Sequence, residues 1–189
     1  MRWHPLEAEQ SECMEKVRLF YYQTPVGELI LGDFQGGLCL ADWRFRKRRE
    51  AIDSRIGKAL NATFVETSSP LLIAAIEQLD AYFAGDLHEF DLPLHLVGTP
   101  FQQKVWRTLS RIPFGQTETY LGLSKKLGNE NAIRAVAAAN GANAIAIIIP
   151  CHRIIGSDGS LVGYAGGLPA KNKLLALENP ERERQLGLF

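Results

Sequence analysis

The chain has 189 residues, is 46% hydrophobic and carries 21 basic against 21 acidic side chains, so its formal net charge is zero. That composition can bury a core, excludes a disordered chain and gives no overall electrostatic reason for a polyanionic partner. No apolar run is long enough to cross a bilayer, and the N-terminal "MRWHPLEAEQSECMEK" has no signal-peptide core, so a cytoplasmic protein of one domain or two small ones is expected.

In chain order, "VRLFYYQ", "ELILGD" and "LCLADW" read as three short strands. "TPVG" and "FQGG" between them supply the Pro and Gly of tight turns, so an antiparallel meander is predicted. "FRKRREAIDSRIGKAL" then reads as a helix with a charged outer face. Ser69 and Pro70 open another helix as N-cap and first-turn proline, and Gly85 closes it. Its apolar positions Leu72, Ala75, Ile76, Leu79 and Phe83 share a face. "LPLHLVG" reads as a linker. The fold class is α/β (α+β), with a small N-terminal antiparallel-sheet domain over 1–97 and a C-terminal, mostly helical domain over 98–180. Residues 181–189 form a tail.

The second unit opens on "TPFQ", a capping box of Thr99 and Gln102 with Pro100 at the first helical position. Phe101, Val105, Leu109 and Ile112 form its predicted buried stripe, and Pro113 and Gly115 end the helix. "TETYLGLSKKLG" and "NENAIRAVAAANG" give two short helices around Gly128, a helix-turn-helix outline. The second of these is thin, with Ala132, Ala135, Ala137, Ala138 and Ala139, and Arg134 is its one long charged side chain. Alanine suits close packing and helix propensity. It equally suits entry into a narrow groove, where an arginine can fill the gap left by an extruded base. "AIAIIIP" reads as a buried strand-like run stopped by Pro150, Ser157-Asp158-Gly159 as a turn, and "PAKNKLLALE" as a last helix.

Charge is not spread evenly. From Phe101 to Lys173, nine basic residues face only Glu118, Glu130 and Asp158, a local excess of +6 that the rest of the chain cancels. Such a segment is either a solvated mixed face or an electrostatic footprint for a polyanion.

Cys151 has two readings. A cysteine between aliphatic runs is commonly an inert core residue. Here, however, Pro150 ends the run, and His152 and Arg153 follow directly. Cationic neighbours favour the thiolate, and a histidine can take the thiol proton if a carboxylate orients it. Glu178 on the last helix is a candidate for that carboxylate.

"PCHR" at 150–153, preceded by "RAVAAANGAN" and followed by "GYAGGL", resembles the active-site signature of the O6-alkylguanine-DNA alkyltransferases. The similarity runs in order from "GTPFQQKVW" through "IPFGQTETY" to "LLALE", about residues 98–178. The resemblance implies direct DNA repair: an alkyl group passes from O6-alkylguanine in double-stranded DNA to the protein's own cysteine, once, irreversibly and without a cofactor. O4-alkylthymine is left open as a second substrate. It implies a monomer and flipping of the base from the minor-groove side. Cys151 would be the acceptor, and His152 its base through a water, oriented by Glu178. Asn143 would fix the loop, and Tyr120 would hydrogen-bond the guanine and assist its departure. Arg134, with Ala135 beside it, would replace the extruded nucleotide. Arg153, the carbonyls of Cys151 and Ile154, Tyr164, the N–H of Ala165 and Lys171 would lie at the substrate or DNA.

Three positions depart from that pattern. Ala144 stands in place of proline, Ala165 in place of serine, and Asn172-Lys173 in place of Glu-Trp, which bears on how the last helix places Glu178. The presence of Cys151 argues against relatives that only bind alkylated DNA. Three scattered cysteines argue against a disulfide framework and against an alkylation-sensing transcription factor. His4, Cys13, Cys39, His88 and His95 do not have the spacing of a zinc site, so no metal is expected. Finally, Gln185, Leu186, Leu188 and Phe189 resemble the short motif by which bacterial DNA enzymes dock on the sliding clamp. Such a tail can equally pack on its own domain.

Overall fold

A computed structural model of the chain describes residues 14–181. Strands β1 (Glu15–Thr24), β2 (Gly27–Phe34) and β3 (Gly37–Trp43) form the predicted meander. The β2–β3 connection is a two-residue turn in which Gln35 and Gly36 both have positive φ, 51° and 80°, the twist that matches the flanking strands. Helix α1 (Arg49–Leu60) follows and ends at Asn61 in the left-handed conformation. The chain then adds a strand absent from the sequence reading: β4 (Ala62–Glu66) pairs parallel with β1, giving the order β3-β2-β1-β4. The sheet is therefore mixed. "ATFVE" is too short, and too close to the helix end, for its period of two to stand out.

Helix α2 (Pro70–Ala84) has the expected ends. Ser69 Oγ accepts from Leu72 N, and Gly85 is left-handed at φ 83°. Its buried face is Leu72, Ala75, Leu79 and Tyr82; Ile76 and Phe83 are only partly covered. Helices α1 and α2 cover opposite faces of the sheet. Ile52 and Ile56 pack with Val17, Ile30 and Leu40, while the α2 stripe packs with Leu29 and Leu31. Each fully buried side chain of this size contributes roughly 1.5–3 kcal/mol.

The "LPLHLVG" stretch is no free linker. Leu38 N donates to Pro93 O at 2.8 Å and His95 N to Leu38 O at 2.9 Å, so it lies along the outer edge of β3.

Helix α3 (Pro100–Leu109) carries the complete capping box of Thr99 and Gln102. Its stripe is Val105, Trp106 and Leu109, with Ile112 beyond; Phe101 is exposed. Trp106 anchors α3 by donating from Nε1 to Ala139 O at 2.8 Å. A two-residue strand, β5 (Glu118–Thr119), pairs with β6 (Ile154–Ile155). Helix α4 (Tyr120–Lys126), a left-handed Gly128 and a 3₁₀ turn at Glu130–Ala132 lead into α5 (Ile133–Gly141). Val136 and Ala139 of α5 are buried, while Arg134, Ala135 and Ala138 face solvent. The alanines thus serve close packing inward and leave a flat face outward. A second 3₁₀ turn, Cys151–Arg153, precedes β6, and α6 (Gly167–Glu178) closes the described chain.

Residues 144–150 are buried, as expected, but do not form a strand. They fold back on themselves: Ile149 N donates to Ile145 O at 3.0 Å, and Ile147 sits at φ 70°. The turn docks on β3, where Ala41 N donates to Ala144 O at 2.8 Å and Ala146 N to Ala41 O at 2.6 Å. One core consequently runs through both halves, joining Leu29, Leu31 and Ala41 to Trp106, Ile145 and Leu174.

Candidate active site

Cys151 is a free thiol, 4% exposed, on the wall of a pocket of about 500 Å³. Tyr120, Asn143, Tyr164 and Ala165 line the same pocket. Five residues singled out from four separate stretches of sequence therefore meet around one cavity. Asn143 pins the turn that presents the cysteine. Its Nδ2 donates to Ile145 O at 3.3 Å and Ile149 O at 3.0 Å, and its Oδ1 accepts from Ile145 N at 3.0 Å. Burial pushes the Cys151 thiol up to about 11, against the pull of Asn143, Lys171 and Arg46. The thiol is therefore protonated at neutral pH, and attack by its sulfur needs a base.

Behind the cysteine lies a buried ionic cluster. His152 is fully buried, and its Nε2 is 2.7 Å from Glu178 Oε1. With Nε2–H donated there, Nδ1 is the ring's bare acceptor, and it has no protein hydrogen-bond partner. Burial holds His152 below its ordinary value of 6.5, against the pull of Glu178, so the ring is neutral. For Glu178, burial alone would raise the carboxyl, but His152 and Arg153 outweigh it and hold it at about 2. Arg153 meets the carboxylate twice, Nε to Oε2 at 2.8 Å and Nη2 to Oε1 at 2.9 Å. Tyr82 Oη donates to Oε1 at 2.7 Å and Gly115 N to Oε2 at 3.3 Å. Gly115 has φ 74°, and a Cβ there would come within 2.8 Å of Glu178 O, so this approach requires glycine.

The remaining expected site residues fall into two groups. Arg134 and Ala135 stand on the exposed face of α5, outside the pocket wall. Arg153, Ile154 and Lys171 are in the core. Arg153 was expected at the substrate or DNA, but it is 6% exposed and committed to Glu178 and to Ile112 O at 2.6 Å. Its charge goes to the carboxylate that needs it. Lys171 Nζ donates to Ile154 O and, at 2.6 Å, to Val162 O, bracing the loop that carries Tyr164.

Sequence reasoning missed Tyr82 and the arginines of the N-terminal half. Tyr82 lies on the buried stripe of α2, where a polar-tipped aromatic requires a partner; that was the available signal. Arg46 reaches across the fold, from Nη1 to Asp42 Oδ2 at 2.7 Å and Asn143 O at 3.1 Å, and from Nη2 to Gly141 O at 2.6 Å. It joins the end of α5 to the cysteine turn, and Arg48 and Arg55 stand beside it on the pocket wall.

Among the described residues no group of three or more His, Cys, Asp or Glu side chains could hold a metal. His88 stacks on Phe114 at 4.1 Å, His95 packs edge-on against Phe34, and Cys39 is buried with its thiol raised to about 12 by desolvation. His4, Cys13 and the clamp-like tail at Gln185, Leu186, Leu188 and Phe189 lie outside the described residues. No helix among those residues is long and apolar enough to cross a membrane.

The fold and the site together define a class: an α+β protein that sets one cysteine in a pocket beside a helix-turn-helix. Two family models cover nearly the whole of it. The 6-O-methylguanine DNA methyltransferase ribonuclease-like domain matches residues 17–96, and the DNA binding domain of the same enzyme matches 100–180. A methylated-DNA–protein-cysteine methyltransferase of Mycobacterium leprae is 44% identical over 170 residues, covering 88% of this chain and 94% of that protein. One from Mycolicibacterium paratuberculosis is 52% identical over 124 residues, 65% of this chain and 75% of that protein. The crystal structure of Mycobacterium tuberculosis OGT in complex with DNA superposes with a TM-score of 0.72 at 39% identity, covering 87% of this chain and 93% of that one. The chain therefore belongs to the 6-O-methylguanine DNA methyltransferase family and is an enzyme of that class, acting in DNA repair.

Proposed function

We propose that the chain repairs O6-alkylguanine in double-stranded DNA by moving the alkyl group onto Cys151 Sγ, once per molecule. The observation that carries this is the convergence of Cys151, Asn143, Tyr120, Tyr164 and Ala165 on one pocket, with the His152–Glu178 pair directly behind the cysteine. In the step, a C–S bond forms to the alkyl carbon and the C–O6 bond breaks. The thiol proton passes through a water to His152 Nδ1, and Glu178 stabilises the imidazolium. Tyr120 donates to the guanine ring nitrogen, so the base leaves without a full negative charge. The thioether has no route back to thiol in this site, which makes the transfer stoichiometric.

The target atom lies inside a duplex, so the nucleotide must be extruded at a cost of roughly a few kcal/mol. The flat outer face of α5 suits the minor groove, and Arg134 fills the vacated place in the stack. The backbone carbonyls of Cys151 and Ile154 take the exocyclic amine, and the Ala165 N–H faces O6. A backbone contact tolerates alanine at 165. Incubating the protein with a duplex carrying O6-methylguanine should add one methyl mass to the peptide containing Cys151. Repair of several lesions per protein molecule, with the peptide mass unchanged, would refute the stoichiometric step.

A further inference from the structure

Five arginines lie between Arg44 and Arg55, and acids answer three of them. Arg44 pairs with Glu28, Arg46 with Asp42, and Arg49 with Asp42 and Asp53. The side chains of Arg48 and Arg55 have no ion pair or hydrogen bond among the described residues. Both line the active-site pocket, Arg48 as the residue that precedes α1 and Arg55 within it, with Ala51 and Ile52 between them and Ala137 and Ala138 of α5 on the same pocket wall. Arg55 is the more telling. Its guanidinium lies over the Trp106 ring at 5.4 Å, with Nε and Nη2 buried and unpartnered. Burial and the nearby Arg46 charge both work against its positive charge, and Asp42 offsets them only in part. A guanidinium held in this way lacks acceptors; with Nε and Nη2 covered, Nη1 is the nitrogen not buried, and an oxyanion in the pocket is the acceptor that this charge matches.

We propose that Arg48 and Arg55 clamp the backbone phosphates of the DNA strand whose nucleotide enters the pocket. The small side chains of Ala137 and Ala138, with Gly141 after them, leave the backbone room to run between α5 and α1. The N-terminal half thus contributes directly to DNA binding, although its own charge balance is acidic. This rests on the reading of Cys151 as the acceptor for a base in duplex DNA.

The test measures duplex affinity of the full chain across potassium chloride concentration. Arg48→Ala/Arg55→Ala should bind about tenfold or more weakly, with the slope of log affinity on log salt shallower by about 2, one for each lost phosphate contact. Arg48→Lys/Arg55→Lys, which keeps charge and fold, should retain most of the slope. An unchanged slope in the alanine variant overturns the clamp. Neutral methylphosphonates are then placed singly at the phosphates flanking the lesion. At one or two positions the substitution should weaken the wild type but not the alanine variant; losses that add at every position overturn the proposal. Inorganic phosphate that displaces duplex at millimolar concentration, and does so only with both arginines present, would mark a small-anion site and overturn it too. Methyl transfer to wild-type Cys151 is read by mass in parallel, so a failure of the repair reading is seen separately.

Discussion

Tyr82 donates a 2.7 Å hydrogen bond to Glu178, a residue 96 positions further on. The donor is on α2 in the N-terminal half, and the acceptor is the last residue of α6. The carboxylate that orients His152 is thereby held from both halves of the chain. Tyr82→Phe removes one of several donors and should cost about 0.5–1.5 kcal/mol of stability. Glu178→Gln leaves Arg153 buried without a counter-charge and should cost roughly 3–5 kcal/mol. Chemical denaturation of the two variants checks the order. Methyl transfer should slow modestly in the first and by more than tenfold in the second.

Stability should fall away on both sides of a plateau. The folded Glu178 is held at about 2 against an ordinary 4.5, so it stabilises above 4.5 and that contribution, up to about 3 kcal/mol, is lost as pH falls toward 2. His152 is lowered from 6.5, so the unfolded chain takes its proton first and stability also declines as pH drops below 6.5. Cys151 is raised from 9.0 to about 11, so the unfolded chain loses its proton first and stability declines as pH rises above 9. Melting temperature against pH checks all three signs.

Cys151 reactivity should separate two kinds of chemistry. Iodoacetamide depends on the free thiolate, so its rate should climb about tenfold per pH unit toward 11. Methyl transfer from duplex draws on His152 and should vary much less between pH 7 and 9. Parallel rise of the two rates would remove His152 from the proton path.

Asn143→Ala should unpair buried backbone groups at Ile145 and Ile149, at about 1–3 kcal/mol for each group left unsatisfied. The turn already holds Ile147 at positive φ, which Asn143 helps to maintain. Faster iodoacetamide labelling of Cys151, with a lower melting temperature, is the expected signature.

Arg134→Ala should lower methyl transfer from duplex more than transfer from free O6-methylguanine, because only the duplex has a stack to repair. Equal losses on both substrates would contradict a role in extrusion.

Local chemistry was legible in the sequence. The Ser69 and Thr99 caps, the Gly85 and Gly128 ends and the Ser157–Gly159 turn are each decided within a few residues. The adjacent pair Cys151 and His152 was legible in the same way, whereas Glu178 was only a candidate carboxylate from the sequence, and α6 is what brings it to His152 Nε2. What depends on tertiary pairing was not legible. The strand β4 exists because β1 offers it an edge, and "AIAIIIP" turns back because β3 takes Ala144 and Ala146. Arg46, Arg48 and Arg55 sat in a segment that read as a solvated face; only the packing of α1 beside α5 turns that face to the pocket. Trp106 and Tyr82 were passed over for the same reason, since a stripe by itself does not reveal what its polar tips must reach.

The pairing of Ala41 with Ala144 and Ala146 also bears on how the molecule could be divided. A cut between residues 97 and 98 would fall between the two matched families, yet the downstream piece would lack Ala41, Arg46 and Tyr82. The two pieces would behave like subunits of an obligate heterodimer, each exposing half of a shared core. Reassembly of such a split protein could be followed by a single covalent event, the alkylation of one cysteine, which would record permanently that the halves had met.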